Sequence, residues 1–207
     1  DDALPEDVKI NLEAFLRKWL TSHIDKVLQD LINLTKLKID NQYLRALSFQ
    51  LYENNGIIKR KNIDNIIKLI SKDERKKLWS MGIKIGRYHV YLPKMLKPKA
   101  VVLRTSLWRL HNDMPQTTLV PKSGLNFLLN ENFNPKFLLI CGFEKFKDFF
   151  VRVDILEKLF IIIIEKTENK KFKISSEMIN LLGCTKENFY KLMEYMNYKK
   201  DKEVDTY

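Results

Sequence analysis

The residues able to do chemistry gather between Gly82 and Lys99, GIKIGRYHVYLPKMLKPK. Lys84, Arg87, His89, Lys94, Lys97 and Lys99 fall within these eighteen positions, with no acid among them. Tyr88 and Tyr91 are interleaved with them, and Arg104 follows closely. Cations beside aromatic rings on a short strand suit a nucleic-acid chain, since the charges hold phosphates and the rings accept bases. The candidate binding set is therefore Lys84, Arg87, Tyr88, His89, Lys94, Lys97, Lys99 and Arg104. The same pattern also fits a core strand whose lysines are merely solvated, and composition leaves the two readings open.

The elements that must position this set can be read on either side of it. Ile83 and Ile85 alternate with Lys84, the period of a half-buried strand. Gly86 interrupts the run and marks a bulge or a close backbone approach. Tyr88, Val90 and Tyr91 continue it to Leu92, where Pro93 stops it for want of a ladder donor. Pro98 suits the first position of a helix running to His111. Upstream, Ser71 and Glu74 form a capping box for a helix over Lys72–Met81 that stops at Gly82. Arg75, Lys76 and Lys77 lie on that helix and adjoin the strand, so they extend its basic surface or form a solvated face.

Farther out, the chain reads as mostly helical. Pro5-Glu6-Asp7 opens a long helix with Leu12, Phe15, Leu16, Trp19, Leu20, Ile24, Val27, Leu28, Leu31 and Ile32 on one face. His23 lies on that stripe and reads as a packed or boundary residue. Asn41–Glu53 and Ile63–Ile70 are two further helices. Asn112–Gly124 reads as a linker. Phe137–Ile140 and Phe149–Val153 are expected to pair as a small hairpin, with Lys145, Lys147 and Asp148 at its turn. Asp154–Lys166 is an apolar helix. Ser175 or Ser176 caps a second over Glu177–Leu182, closed by Gly183, and a third, opened by Thr185 with Asn188 or by Cys184 with Glu187, runs to Met196. That order is helix-turn-helix-like. Its last helix carries Lys186, Glu187, Lys191 and Glu194, a balanced set that fits protein packing as well as nucleic-acid reading. The tail Lys199–Tyr207 is expected to fray.

The expected class is mainly α (α+β): a helical bundle with a short basic strand, then a small helix-turn-helix or winged-helix-like unit. The expected divisions are 1–111, 112–150, 151–198 and the tail 199–207.

The net charge is +11 over 207 residues. Fourteen Lys or Arg against three acids fall between Lys59 and Arg104, so the whole excess lies in that block. Such concentration points to a polyanion partner. The longest apolar run, Leu159–Ile164, is too short to span a bilayer, and no basic helix has a Trp- or Phe-rich opposite face. Cys141 and Cys184 show neither CxxC spacing nor metal-ligand spacing with His23, His89 or His111, so no zinc site and no disulfide framework is expected. A reducing setting, cytoplasmic or an organellar matrix, fits. No signal peptide is visible, and a first residue other than Met suggests a piece of a longer protein. Phosphate-cradling, dinucleotide, nucleophile-elbow and zinc-protease motifs are all missing. His111 and Asp113 end a helix near a proline and read as structural. By its own residues the chain carries no catalytic constellation, cofactor site or metal site.

Met81–Pro98, MGIKIGRYHVYLPKMLKP, resembles a segment in the C-terminal region of bacterial, mainly alphaproteobacterial, DExH-box helicases. These are similar to the RNA helicase of the mitochondrial degradosome. Asn11–His23, Ala46–Gln50 with Asn55–Ile58, Cys141-Gly142 to Leu159, and Phe172–Tyr198 resemble further pieces of the same region in the same order. The resemblance implies an ATP-dependent superfamily-two helicase, a hydrolase whose two motor domains lie upstream and use ATP and magnesium. This chain would be its accessory region, helping to hold the single strand leaving the motor. The implied partners are single-stranded RNA or DNA and the upstream motor domains. Composition departs from the family, being rich in Lys, Ile and Asn rather than Ala and Arg, and the family's long low-complexity tail is absent. The alternative is a structural module whose basic strip docks an acidic partner or the motor domains.

Overall fold

The computed structural model of the chain describes residues 4–36, 40–115, 120–129, 134–200 and 206–207. The fold is mainly helical with two small antiparallel sheets.

The first helix, α1 (Glu6–Val27), ends one residue before Leu28, and α2 (Gln29–Lys36) follows. The apolar stripe therefore divides. Ile24, Val27, Leu28 and Leu31 enter the first core, while Leu12, Phe15, Leu16, Trp19 and Leu20 stay 44–64% exposed. Periodicity specifies a helix, not its cover, and the described residues supply none for these turns. His23 is exposed and stacks on Trp19 at 5.2 Å.

Helix α3 (Gln42–Glu53) starts where the Asn41 side chain accepts the Tyr43 and Leu44 N–H groups at 2.7 and 3.0 Å. This satisfies two of the donors that every helix start leaves unpaired. Strand β1 (Ile57–Lys59), α4 (Asp64–Leu69) and α5 (Lys72–Ser80) follow, and α5 has the expected Ser71–Glu74 capping box. The expected strand past Gly86 is instead a hairpin of β2 (Lys84–Ile85) and β3 (His89–Tyr91). Strand β3 is central, in the order β1-β3-β2, with Lys59 opposite His89 and Lys84 opposite Tyr91. Being covered on both faces, it buries His89, Val90 and Tyr91 alike. Helix α6 (Pro98–His111) begins at Pro98, as its fixed φ favours.

The second half departs more from expectation. Of the expected linker Asn112–Gly124, residues 112–115 and 120–124 hold no helix or strand and residues 116–119 lie outside the described set; β4 (Phe127–Leu129) follows it and was not expected. Phe137–Ile140 lies in α7 (Pro135–Ile140), capped by Asn134, and is not a hairpin strand. The hairpin joins β5 (Phe143–Phe146) to β6 (Phe149–Arg152), and Lys147 takes a left-handed φ of 48° in the turn. The sheet order is β4-β6-β5, and the boundary expected between residues 150 and 151 falls inside β6. Helices α8 (Val153–Glu165), α9 (Ser176–Leu182) and α10 (Lys186–Tyr195) close the fold, with Gly183 left-handed at φ 68° between the last two. The end of the tail is docked rather than frayed. Tyr207 is buried, exchanges both backbone hydrogen bonds with Phe172 and stacks on its ring at 6.1 Å; residues 201–205 lie outside the described set.

Two large cores serve the two halves, one under α2–α6 and one under α8–α10. Two smaller clusters join them. Ile57 and Tyr91 pack with Val153, and Val101 and Trp108 pack with Phe137, Phe143 and Phe150.

Candidate nucleic-acid interface

The hairpin loop between β2 and β3 is held by an acid from the other half of the molecule. Glu157 sits in the buried face of α8, on the helical stripe of Val153 and Leu156. Its carboxylate accepts the backbone N–H groups of Arg87 at 2.6 Å, Tyr88 at 2.9 Å and His89 at 2.9 Å. Three charge-assisted bonds to one buried carboxylate meet the cost of removing it from water. Gly86 makes the approach possible, since a Cβ there would lie 2.3 Å from the Glu157 carboxyl carbon. The Arg60 guanidinium donates to the Gly86 carbonyl at 2.9 Å and ties the loop from its other side.

A second acid completes the junction. His89 Nε2 bonds Glu144 Oε2 at 2.8 Å, and Lys59 bonds the other Glu144 oxygen. His89 Nδ1 lies 3.6 Å from Glu157 Oε1, beyond hydrogen-bond length but within charge attraction. Burial opposes charge on His89, yet the bond to Glu144 and the fields of both carboxylates outweigh it, so its pKa lies above the usual 6.5. Burial likewise opposes charge on Glu144, and its bonds to His89 and Lys59 still hold its pKa below the usual 4.5. This buried cluster joins β1, β3, β5 and α8 and leaves His89 with 1% exposure. It is a junction between halves, not a surface.

An open cleft of about 850 Å³ lies beside that junction, between α5, the hairpin and α8. Arg60, Lys72, Arg75, Lys76, Lys84, Arg87 and Lys158 line it. Two acids also line it, and both are engaged: Glu157 with the loop N–H groups, and Asp154 with Arg152 at 2.6 Å. Among the described residues, Lys72, Lys84 and Lys158 are exposed and have no carboxylate partner. Arg75 donates to the Ile67 and Ile70 carbonyls at 3.1 and 3.3 Å, and so caps the end of α4. Arg87 lies 5.6 Å from the Phe160 ring. The exposed apolar surface of the cleft is Trp79 on α5 and Ile161 and Ile164 on α8.

The eight residues singled out by sequence separate. Lys84 and Arg87 line the cleft. Lys94 is exposed and pairs with Asp30 at 2.9 Å. Lys97 and Lys99 are exposed around the start of α6 and do not line the cleft. Tyr88 is half-buried, edge-on to Phe160, and burial with the nearby Tyr198 hydroxyl pushes its phenol upward. His89 and Arg104 are buried, which corrects their place in a surface set. Arg104 donates to the Asn55 and Met95 carbonyls, and burial lowers its pKa to about 10, still protonated at neutral pH. Tyr91 is buried too, and burial pushes its phenol up to about 12.

Sequence reasoning passed over Trp79, Lys72 and Lys158 as cleft residues, and Glu144 and Glu157 as organisers. A lone acid on the buried stripe of an otherwise apolar helix was the available signal for Glu157.

Burial pushes the Cys141 thiol up to about 12 and Cys184 to about 11, so neither is a thiolate at neutral pH. Among the described residues, no group of three His, Cys, Asp or Glu could hold a metal ion, and no helix is long and apolar enough to cross a membrane. No protein-family model, curated protein or solved structure matches the chain.

Proposed function

We propose that the chain is a nucleic-acid-binding module, and that the cleft between α5, the β2–β3 hairpin and α8 holds a single strand. One observation carries this reading. Seven cations from four separate segments line one open cleft whose acids are already engaged. Although Arg60 pairs with Asp64 and Lys76 with Asp73, Lys72, Lys84 and Lys158 have no carboxylate partner among the described residues. Phosphates would supply the missing negative charge.

The resemblance to the C-terminal region of DExH-box helicases gives the module its place, beside upstream motor domains that would use ATP and magnesium. Its role there is to guide the strand leaving the motor. The last three helices, with the left-handed turn at Gly183 and the β5–β6 hairpin beside them, support a winged-helix-like description of residues 151–198. The balanced charge on α10 makes that unit a packing module in this reading, with the strand held by the cleft.

Fluorescence anisotropy of the chain with labelled single-stranded RNA and DNA, across salt, tests the proposal. The expected result is binding that weakens by about a decade or more over a fewfold rise in salt. Absence of binding at low salt would refute it.

A second reading, a protein-contact module, rests on a different observation. The exposed Leu12, Phe15, Leu16, Trp19 and Leu20 of α1 form a stripe of the kind that a partner covers, such as the upstream motor domains. Cross-linking from α1 in the longer protein distinguishes it.

A further inference from the structure

We propose that Trp79 is a stacking platform for an unpaired base, and that it makes the cleft selective for single strands over duplex. This rests on the reading above, that the cleft holds a nucleic acid, and adds what selects the form of it.

The geometry has three parts. Trp79 is 70% exposed, the most exposed large apolar side chain among the described residues, and it lines the cleft from the last turn of α5. Ile161 and Ile164, at 54% and 55%, line the same cleft from α8. Both walls thus present apolar surface to the space between them, a place for a flat ring. Lys72, Arg75 and Lys76 lie one to two turns before Trp79 on its own helix, Lys84 and Arg87 lie on the hairpin, and Lys158 lies one turn before Ile161. Charge therefore flanks the apolar surface. A strand could place phosphates on the cations while one base enters against the indole.

The chemistry separates single strands from duplex. Every base has a π-face, so stacking on an aromatic ring tolerates sequence. In a duplex both faces of each interior base are taken by its neighbours, and only the phosphates remain for the cleft. Cations serve either form; Trp79 serves only the unpaired one. Of the rings offered by the sequence, Tyr91 is buried and Tyr88 is half-buried, edge-on to Phe160 and packed on the second core, which leaves this role to Trp79.

The proposal commits to a nucleic-acid occupant by charge complementarity. An acidic peptide would meet the same cations and is the competing occupant in the test. Binding is measured for a labelled 12-nucleotide single-stranded RNA, the same length of single-stranded DNA, a 12-base-pair duplex and a poly-glutamate peptide. The proteins are the natural chain, Trp79→Ala, Trp79→Phe, and a Lys72/Lys84/Lys158 charge reversal. Trp79 is exposed, so its variants are expected to keep the fold, which circular dichroism and thermal melting check. The expected result is an approximately tenfold loss of single-strand affinity in Trp79→Ala, substantial rescue by Trp79→Phe and unchanged duplex affinity. Quenching of protein fluorescence by the strand should fall in Trp79→Ala. Equal losses on single strand and duplex, or no loss on either, would overturn this inference while the charge-reversed variant still upheld the cleft. No binding of any strand by the natural chain, or tighter binding of poly-glutamate than of RNA, would overturn both.

Discussion

Glu157 Oε2 accepts the Arg87 backbone N–H at 2.6 Å across seventy positions of sequence. The same carboxylate holds the next two N–H groups, so one side chain of α8 shapes the loop that carries a cleft cation. The loop and the second half of the chain are therefore fixed to each other by polar contacts, and not by apolar packing alone.

Removing that carboxylate should be costly. Glu157→Ala strands three loop N–H groups and is expected to destabilise by about 3–5 kcal/mol. Glu157→Gln keeps an acceptor but turns an amide donor toward N–H groups, and is expected to cost about 2–3 kcal/mol. Gly86→Ala should cost about 1–3 kcal/mol by crowding the same carboxyl group. Because the two sites touch, the Gly86→Ala penalty should shrink in the Glu157→Ala background. Urea denaturation of the four proteins checks this, and strict additivity would count against the close approach.

Stability should depend on pH through His89. Its folded pKa is raised, so its contribution is complete below the unfolded value of 6.5 and is lost as pH rises through the folded value. Glu144 works oppositely: its folded pKa is depressed, so its contribution is present above 4.5 and lost as pH falls through the folded value. Lys59, bonded to Glu144, and Glu157, 3.6 Å from His89 Nδ1, are the other charged groups of the cluster. Urea midpoints should therefore be highest on the acidic side of neutrality, above the Glu144 transition. The fall toward alkaline pH should vanish in His89→Asn.

The cleft should bind through the cations that line it. Reversing Lys72, Lys84 and Lys158 is expected to weaken single-strand binding by on the order of tenfold or more at low salt, and to flatten the salt dependence. Reversing Lys97 and Lys99, which lie off the cleft, should have much less effect. Parallel anisotropy titrations of the two variants make the comparison, and equal losses would point to diffuse attraction.

Tyr207 should be a stabilising residue. Its ring is buried against Phe172, so Tyr207→Ala is expected to cost about 3–4 kcal/mol. Thermal melting with a Tyr207→Phe control checks this; the control should stay within about 1 kcal/mol.

Local signals in the sequence proved reliable where they act through the nearest few residues. The Ser71–Glu74 box, Pro98 at a helix start and Gly183 at a helix end are set by neighbours within one turn. Pairing across long stretches was not legible. Ile57–Lys59 gives no sign of joining residues 89–91, and the Phe137–Ile140 run is short enough to suit a strand or a helix. The same limit governed the candidate site. Lys84 and Arg87 could be singled out from a dense basic stretch, whereas His89 and Arg104 look alike in sequence and are buried by partners that come from elsewhere. Lys158 could not be joined to Lys72 without the docking of α8 on the hairpin.

That docking sets how the cleft must behave as a receptor. One wall, α5 and the hairpin, comes from before residues 112–124 and the other, α8, from after them, so the space between them exists only while the halves are joined. Any occupant touching both walls shares in the equilibrium that keeps them together and must raise the temperature at which they part, in proportion to the logarithm of its concentration. A thermal-shift screen would therefore report occupancy of this receptor without a label on the ligand.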